Sequence, residues 1–280
     1  MAPITVAFQG ESGAYSELAA IEYHHFQILT LPCAAFEDVF SAVSTRTAEF
    51  GMIPVENSLA GSIHRNYDLM LRHDLHITGE YYLRVSHCLL ALPGVRLEEI
   101  RRVHSHPQAL AQCEANLSKL GVETVPEADT AGSARLLAQN PDPEAAVLAS
   151  RRAAEVYGLQ ILTESMEDNA ENYTRFLVLS CKPGLANKPE NGSYKTSVVF
   201  TLENKPGALF KALSVFALRD IDLTKIESRP VQGHPWEYLF YIDFAGNANS
   251  QICQRALDHL AELAPYLRLL GSYPRHQYQQ

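Results

Sequence analysis

Asp168-Asn-Ala-Glu-Asn-Tyr-Thr-Arg-Phe176 runs directly into Leu177-Val-Leu179. The apolar run 176–179 reads as a short buried strand, and the residues before it as a polar loop anchored on that strand. The loop crowds together two amides (Asn169, Asn172), two carboxylates (Asp168, Glu171), two hydroxyls (Tyr173, Thr174) and the Arg175 guanidinium. Read alone it is a solvated turn, because Asn and Asp favour turns through local hydrogen bonds. The rhythm upstream gives it a different context. Short apolar runs at 4–8, 26–31, 50–53, 102–104, 146–148 and 176–179 read as strands, and segments such as 108–120 and 132–139 read as helices. This alternation predicts an α/β fold. In the helix over 108–120, Leu110, Cys113, Leu117 and Leu120 share a face, Pro107 takes a first-turn position and Gly121 stops it. The β-rich stretch 77–92 breaks the rhythm and reads as the place where the chain crosses from one lobe to another.

With 280 residues the chain is expected to form more than one unit. A hydrophobic content of 46% with 20% charged residues is that of a globular protein. The formal charge of −9 argues against a sequence-independent nucleic-acid binder, which needs many cations against phosphate. Five scattered cysteines with no CxxC pair point to reduced thiols, and the odd count leaves at least one without an intrachain partner. The start, Met-Ala-Pro-Ile-Thr-Val-Ala-Phe, has no basic or long apolar segment and reads as a first strand, not a signal peptide. No stretch approaches the roughly eighteen apolar residues of a membrane span. A cytoplasmic protein without membrane contact is the expectation.

Residues 184–193 are rich in turn formers and form the expected linker between a domain over 1–183 and one over 194–276, with a tail at 277–280. In the second domain Val198, Phe200 and Leu202 alternate as a strand, and Pro206 opens a helix with Leu209, Leu213 and Phe216 on one side. A strand over 221–228 precedes the alternation Trp236, Tyr238, Phe240, Ile242, Phe244. A helix burying Ile252, Ala256, Leu260 and Leu263 and a strand over 267–273 complete a βαββαβ, ferredoxin-like order.

Three further polar clusters in the first domain sit where strands end. Gly10-Glu-Ser-Gly-Ala-Tyr-Ser16 has glycines that leave backbone N–H groups free to approach a ligand, but neither the lysine nor the spacing of a phosphate loop. Pro54-Val-Glu-Asn-Ser58 follows the strand at 50–53, and Ser105-His-Pro-Gln-Ala-Leu110 follows the strand at 102–104 and opens a helix, where Ser105 or His106 can also serve as an ordinary cap. Together and in this order, GxxGxYS, PVENS, SHPQ and DNxxNxTRF resemble the prephenate dehydratases, which convert prephenate to phenylpyruvate in phenylalanine biosynthesis. The βαββαβ unit resembles the ACT domain with which that family senses phenylalanine.

The resemblance implies a catalytic domain of two α/β lobes, similar to type II periplasmic binding proteins, with substrate in the cleft between them, and a homodimer or homotetramer. It implies a hydroxyl at Thr174 acting on the leaving group, with the amides of Asn57 and Gln108 lining the cleft. Glu56 is either a general acid with a raised pKa or a hydrogen-bond organiser. Arg175 is either a bidentate clamp on a substrate carboxylate or a salt-bridge partner of Asp168 or Glu171. Ser16, Ser58 and Ser105 are secondary substrate donors, and Phe176, counted with the substrate-binding residues, anchors the loop in the core. Phenylalanine is expected at Gly207, Ala208, Leu209, Glu227, Ser228, Arg229 and Pro230. The reaction requires no cofactor, and the histidines, including the pairs His73/His76 and His104/His106, lack a third ligand at metal-site spacing. Two rivals stand beside this reading: arogenate dehydratase, which performs the same elimination on the transaminated substrate, and a non-catalytic amino-acid sensor.

Overall fold

The computed structural model describes residues 3–25, 27–184, 193–231 and 237–276. Residues 185–192 of the expected linker, the tail at 277–280, Phe26 and Trp236 lie outside the described residues. The chain opens with β1 (Ile4–Gln9), α1 (Tyr15–His24), β2 (Ile28–Cys33), α2 (Phe36–Ser44), β3 (Phe50–Asn57), β4 (Gly61–Ser62), α3 (His64–Arg72) and β5 (His76–Arg84). A second lobe follows: β6 (Cys88–Ala91), β7 (Arg102–Ser105), α4 (Pro107–Gln112), α5 (Glu114–Leu120), β8 (Glu123–Pro126), α6 (Thr130–Gln139), β9 (Ala145–Ala149), α7 (Arg151–Tyr157) and β10 (Gln160–Thr163). β11 (Tyr173–Ser180) returns to the first sheet, whose order is β2-β1-β3-β11-β5 with β4 on β3; the second sheet runs β10-β6-β9-β7-β8. The chain therefore crosses between lobes twice, after β5 as the stretch 77–92 suggested, and again before β11.

Central strands are apolar along their whole length because helices cover both faces. All five residues of β9 are buried, and Val6, Ala7 and Phe8 of β1 are fully so. The helices start on side-chain caps that satisfy orphan amides. Asp129 accepts from Gly132 N at 2.6 Å for α6, and Ser150 accepts from Ala153 N at 3.0 Å for α7.

Several expected boundaries move. β3 continues through Pro54-Val-Glu to Asn57, and β11 begins at Tyr173, so Asn57, Thr174 and Arg175 are strand residues. The helix expected over 108–120 is two helices broken at Cys113 (φ −118°, ψ 14°). Asp168 makes the break possible: its N–H donates to the Gln112 carbonyl at 2.8 Å, and its carboxylate accepts from Ala115 N (2.9 Å) and Asn116 N (3.2 Å), capping α5 from outside the helix.

By compactness, Met1–Asp74 and Tyr81–Leu177 form one unit, and Leu75–Glu80 with Val178–Gln280 a second. The second contains β12 (Tyr194–Thr201), α8 (Ala208–Ala217), β13 (Leu223–Pro230), β14 (Tyr238–Ala245), α9 (Gln251–Leu263) and β15 (Tyr266–Pro274), in the sheet order β13-β14-β12-β15. This is the ferredoxin-like arrangement, its helices packed on Val198, Phe200, Ile242 and Phe244. Two expected core residues face outward, Ile252 at 49% and Leu209 at 37% exposure, with Cys253 buried in place of Ile252. Glu227-Ser-Arg-Pro230 lies within β13 and not after it.

One buried group gives the first unit a pH dependence. His24, at the end of α1, packs against the rings of Tyr23 (5.0 Å) and Phe50 (5.3 Å), and burial, with His25 adjacent, lowers its pKa to about 4. The folded ring stays neutral while the unfolded ring takes a proton below its ordinary pKa of 6.5. Stability conferred by His24 is thus complete above pH 6.5 and is lost as pH falls towards about 4, by on the order of 2 kcal/mol once partial solvent screening is allowed for. Urea unfolding at pH 7.5 and pH 5 should show this slope in the native chain and a flatter one in His24→Phe; equal slopes would remove the assignment.

Candidate active site

Asn57 ends β3 and Thr174 stands second in β11, and the end of one strand meets the start of the other. Ser58 N donates to Tyr173 O at 2.8 Å, while the Ser58 hydroxyl accepts from Tyr173 N and donates to Glu171 O, both at 2.9 Å. These bonds hold the Asn57 side chain in a fixed frame. Its Oδ1 accepts from Leu59 N (3.1 Å) and Ala60 N (2.9 Å), and its Nδ2 faces Asn172 Oδ1 (2.8 Å), Thr174 Oγ1 (3.0 Å) and Tyr173 O (3.2 Å). An amide nitrogen carries two hydrogens, so these acceptors share them. Because Thr174 Oγ1 accepts here, its own hydrogen is left to donate elsewhere, and among the described residues no acceptor takes it.

The polar chain continues across the lobe junction. Asn172, fully buried, donates from Nδ2 to Gln112 Oε1 at 3.1 Å, and the same oxygen lies 3.0 Å from His87 Nε2. His87 Nδ1 is 2.8 Å from the Tyr15 hydroxyl, which also donates to Ser86 O at 2.9 Å. The two crossing segments are tied by Val85 N to Asn172 O (2.7 Å), Met166 N to His87 O (2.8 Å) and His87 N to Glu167 Oε2 (2.8 Å). Burial lowers the His87 pKa and pushes the Tyr15 hydroxyl well above its ordinary range, so both are neutral. The neighbouring thiols stay protonated, Cys88 raised to about 11 and Cys113 to about 12, in each case chiefly by burial. The row from Thr174 to Tyr15 is therefore an uncharged array of amides, hydroxyls and one imidazole.

The structure brings together Asn57, Thr174 and Ser58 but not the other expected residues. Gln108 is exposed, and its backbone N–H donates to the His106 ring that caps α4; the glutamine joining the cluster is Gln112, one helical turn on. That spacing was the available signal, since residues four apart share a helix face. Ser105 is fully buried and donates to Leu148 O at 2.7 Å, so it ties β7 to β9 and offers nothing to a ligand. Ser16 is buried in α1, and Glu56, preceding Asn57 in β3, points to the opposite face of the strand. Phe176 is 2% exposed and belongs to the core. Arg175 is 4% exposed with its guanidinium 5.9 Å from the centre of the Tyr82 ring, on the other face of β11 from Thr174. Asp168 caps α5. The loop amides expected to be free are committed: Gly13 N donates to Glu17 Oε2 at 2.6 Å and Gly10 N to Cys33 O at 3.0 Å. Gly13 (φ +92°) instead allows close approach to α7, where a Cβ would lie 2.8 Å from Ala153 Cα.

In the second unit Gly207 adopts φ 79°, ψ 1° and begins α8, a backbone state that only glycine takes at little cost, followed by Ala208 and the exposed Leu209. Glu227 is 3.7 Å from Lys225, and Ser228, Arg229 and Pro230 follow on β13 at the sheet edge.

The family model described as Prephenate dehydratase matches residues 6–184, and the ACT domain model matches 196–250. Arogenate dehydratase/prephenate dehydratase 2, chloroplastic, from Arabidopsis thaliana is 51% identical over 97% of this chain and 73% of its own length; arogenate dehydratase 2 of Petunia hybrida is 50% identical over 97% and 72%. Among solved structures, the prephenate dehydratase of Arthrobacter aurescens in complex with L-Phe superposes with a TM-score of 0.87 at 34% identity, covering 97% of this chain and 90% of that one. A protein described as a novel type of quorum quenching acylase, GqqA, gives 0.90 at 38%, covering 97% and 98%. With both family models matched in order and half of all residues shared with dehydratases along nearly its whole length, the chain belongs to the prephenate dehydratase family of hydro-lyases and carries a C-terminal ACT domain.

Proposed function

We propose that the chain turns prephenate into phenylpyruvate, with CO₂ and water as the other products, and that L-phenylalanine binding at its ACT domain inhibits the reaction. The observation that carries the catalytic part is the Thr174 hydroxyl, fixed as an acceptor from Asn57 Nδ2 and so turned to donate. In the elimination the C–C bond to the ring carboxylate breaks, its electron pair enters the ring and the C–O bond to the ring hydroxyl breaks. That hydroxyl takes up one proton and leaves as water. Thr174 is a weak acid, so its part is a hydrogen bond to the departing oxygen, strengthening as charge develops there. Gln112 donates from a neutral amide to a substrate oxygen without adding a titrating group, while Asn57, whose amide hydrogens are taken up by Asn172, Tyr173 and Thr174, orients the Thr174 hydroxyl.

Arogenate is the second substrate reading, favoured by the names of the plant relatives. Phenylalanine regulation rests on Gly207 at the head of α8 and on the ligand named for the Arthrobacter relative. A homodimer or homotetramer in the cytoplasm completes the proposal; no helix among the described residues is long and apolar enough to cross a membrane. The test is turnover of each substrate with and without phenylalanine. Phenylpyruvate from prephenate, slowed by phenylalanine, is the expected result. Consumption of arogenate alone would move the activity to the second reading, and consumption of neither would overturn both.

A further inference from the structure

Gln112 Oε1 has two N–H donors aimed at it, Asn172 Nδ2 at 3.1 Å and His87 Nε2 at 3.0 Å. A half-buried glutamine amide can otherwise turn end for end at little cost, presenting either its oxygen or its NH₂ to a ligand. Here the reverse orientation would set the NH₂ against two donors and lose both bonds, so the NH₂ end faces outward. Gln112 is half-buried and its Nε2 has no partner among the described residues, as expected for a donor presented to a ligand. The imidazole is itself held. Its ring meets Tyr15 edge-on at 5.5 Å and 87°, and its Nδ1 lies 2.8 Å from the phenol oxygen, whose one proton is shared with Ser86 O. Buried at 2% exposure, the neutral ring has one N–H; backbone donors orient Asn57, Asn57 orients Asn172 and Asn172 donates to Gln112 Oε1, so the acceptor facing His87 Nε2 is an oxygen and the ring hydrogen lies on Nε2.

We propose that His87, held by Tyr15, is a positioning residue that keeps the Gln112 amide donor-outward for an anionic or hydroxyl oxygen of the substrate. Neither residue touches substrate in this scheme. The inference rests on the reading that Gln112 faces substrate, and the experiment separates the two. Prephenate and arogenate kinetics are measured for the native enzyme, for His87→Phe, His87→Gln and Tyr15→Phe, and for each of these combined with Gln112→Ala. His87→Phe should lower kcat/KM by roughly tenfold, and His87→Gln, whose amide N–H can reach the same oxygen, should restore it to within about threefold. In the Gln112→Ala background both His87→Phe and Tyr15→Phe should cost less than about twofold, because the group they position is gone. A purely structural role for His87 would give the same loss in both backgrounds, and that result, or a silent His87→Phe, overturns the inference. If His87→Phe does not fold, the Tyr15→Phe cycle decides alone. Absence of turnover by the native enzyme would overturn the proposed function, whereas turnover with a silent Gln112→Ala would overturn only this inference.

Discussion

Thr174→Val is expected to lower kcat by about 10²–10⁴-fold with little change in KM, and Thr174→Ser to retain activity within about tenfold. Valine keeps the shape of threonine in β11 and removes only the hydroxyl, so the comparison isolates the donor from the packing. The size follows from the environment. Thr174 is 8% exposed, its oxygen accepts from Asn57 at 3.0 Å, and no charged group is bonded to it among the described residues. A hydrogen bond to a developing oxyanion in such a dry, fixed setting acts mainly in the transition state, which is why the loss falls on kcat. Serine restores the donor but lacks the methyl that limits rotation about χ1, so part of the fixed orientation goes. Thr174→Val with native kcat would show that the departing hydroxyl takes its hydrogen bond from another group.

Much of this architecture could be read in the sequence because it rests on local pattern. The continuous apolar strand at Ala145–Ala149 and the βαββαβ order of the C-terminal unit follow from periodicity, and Asn57 and Thr174 stood in motifs with a family resemblance. What escaped depends on partners far apart in the chain. The SHPQ motif points to Gln108 because it ends there; that Gln112 meets Asn172, 60 residues away, and that the helix breaks at Cys113, are set by tertiary contacts. That break depends in turn on Asp168, 53 residues beyond Ala115, the amide it caps. Ser105 looked like a ligand or a cap, and only the strand order β9-β7 reveals Leu148 O as its acceptor. His87 gave no signal at all, because a lone histidine after a strand acquires a role only through the groups tertiary folding puts on its two nitrogens.

The same dependence on distant partners sets the largest stability effect in the second unit. Lys195, near the start of β12, is 3% exposed and its Nζ lies 2.7 Å from Glu80 Oε2; the Glu80 side chain is fully buried, and its Oε1 accepts from His276 N at 3.2 Å. Leu75–Glu80 packs closely here, since a Cβ on Gly271 of β15 would lie 2.0 Å from Ile77 O. Both side chains of the pair are buried, so a lost cation would leave the carboxylate away from bulk solvent. A buried pair gains little over apolar residues of the same volume, because desolvation offsets the attraction, but stripping one partner strands a charge in a dry site. Lys195→Met should therefore cost about 3–5 kcal/mol, whereas Lys195→Met combined with Glu80→Met should recover most of that loss. Urea unfolding followed by circular dichroism measures both. If Lys195→Met alone costs less than about 1 kcal/mol, water reaches Glu80 and the pair behaves as an exposed one. If the double substitution is as damaging as the single, the stabilisation lies in hydrogen bonds around the pair and not in charge compensation. The expected recovery identifies Glu80 as a buried charge compensated by a cation from β12, so the chain segment Leu75–Glu80 is tied into the second unit by an interaction no local sequence pattern encodes.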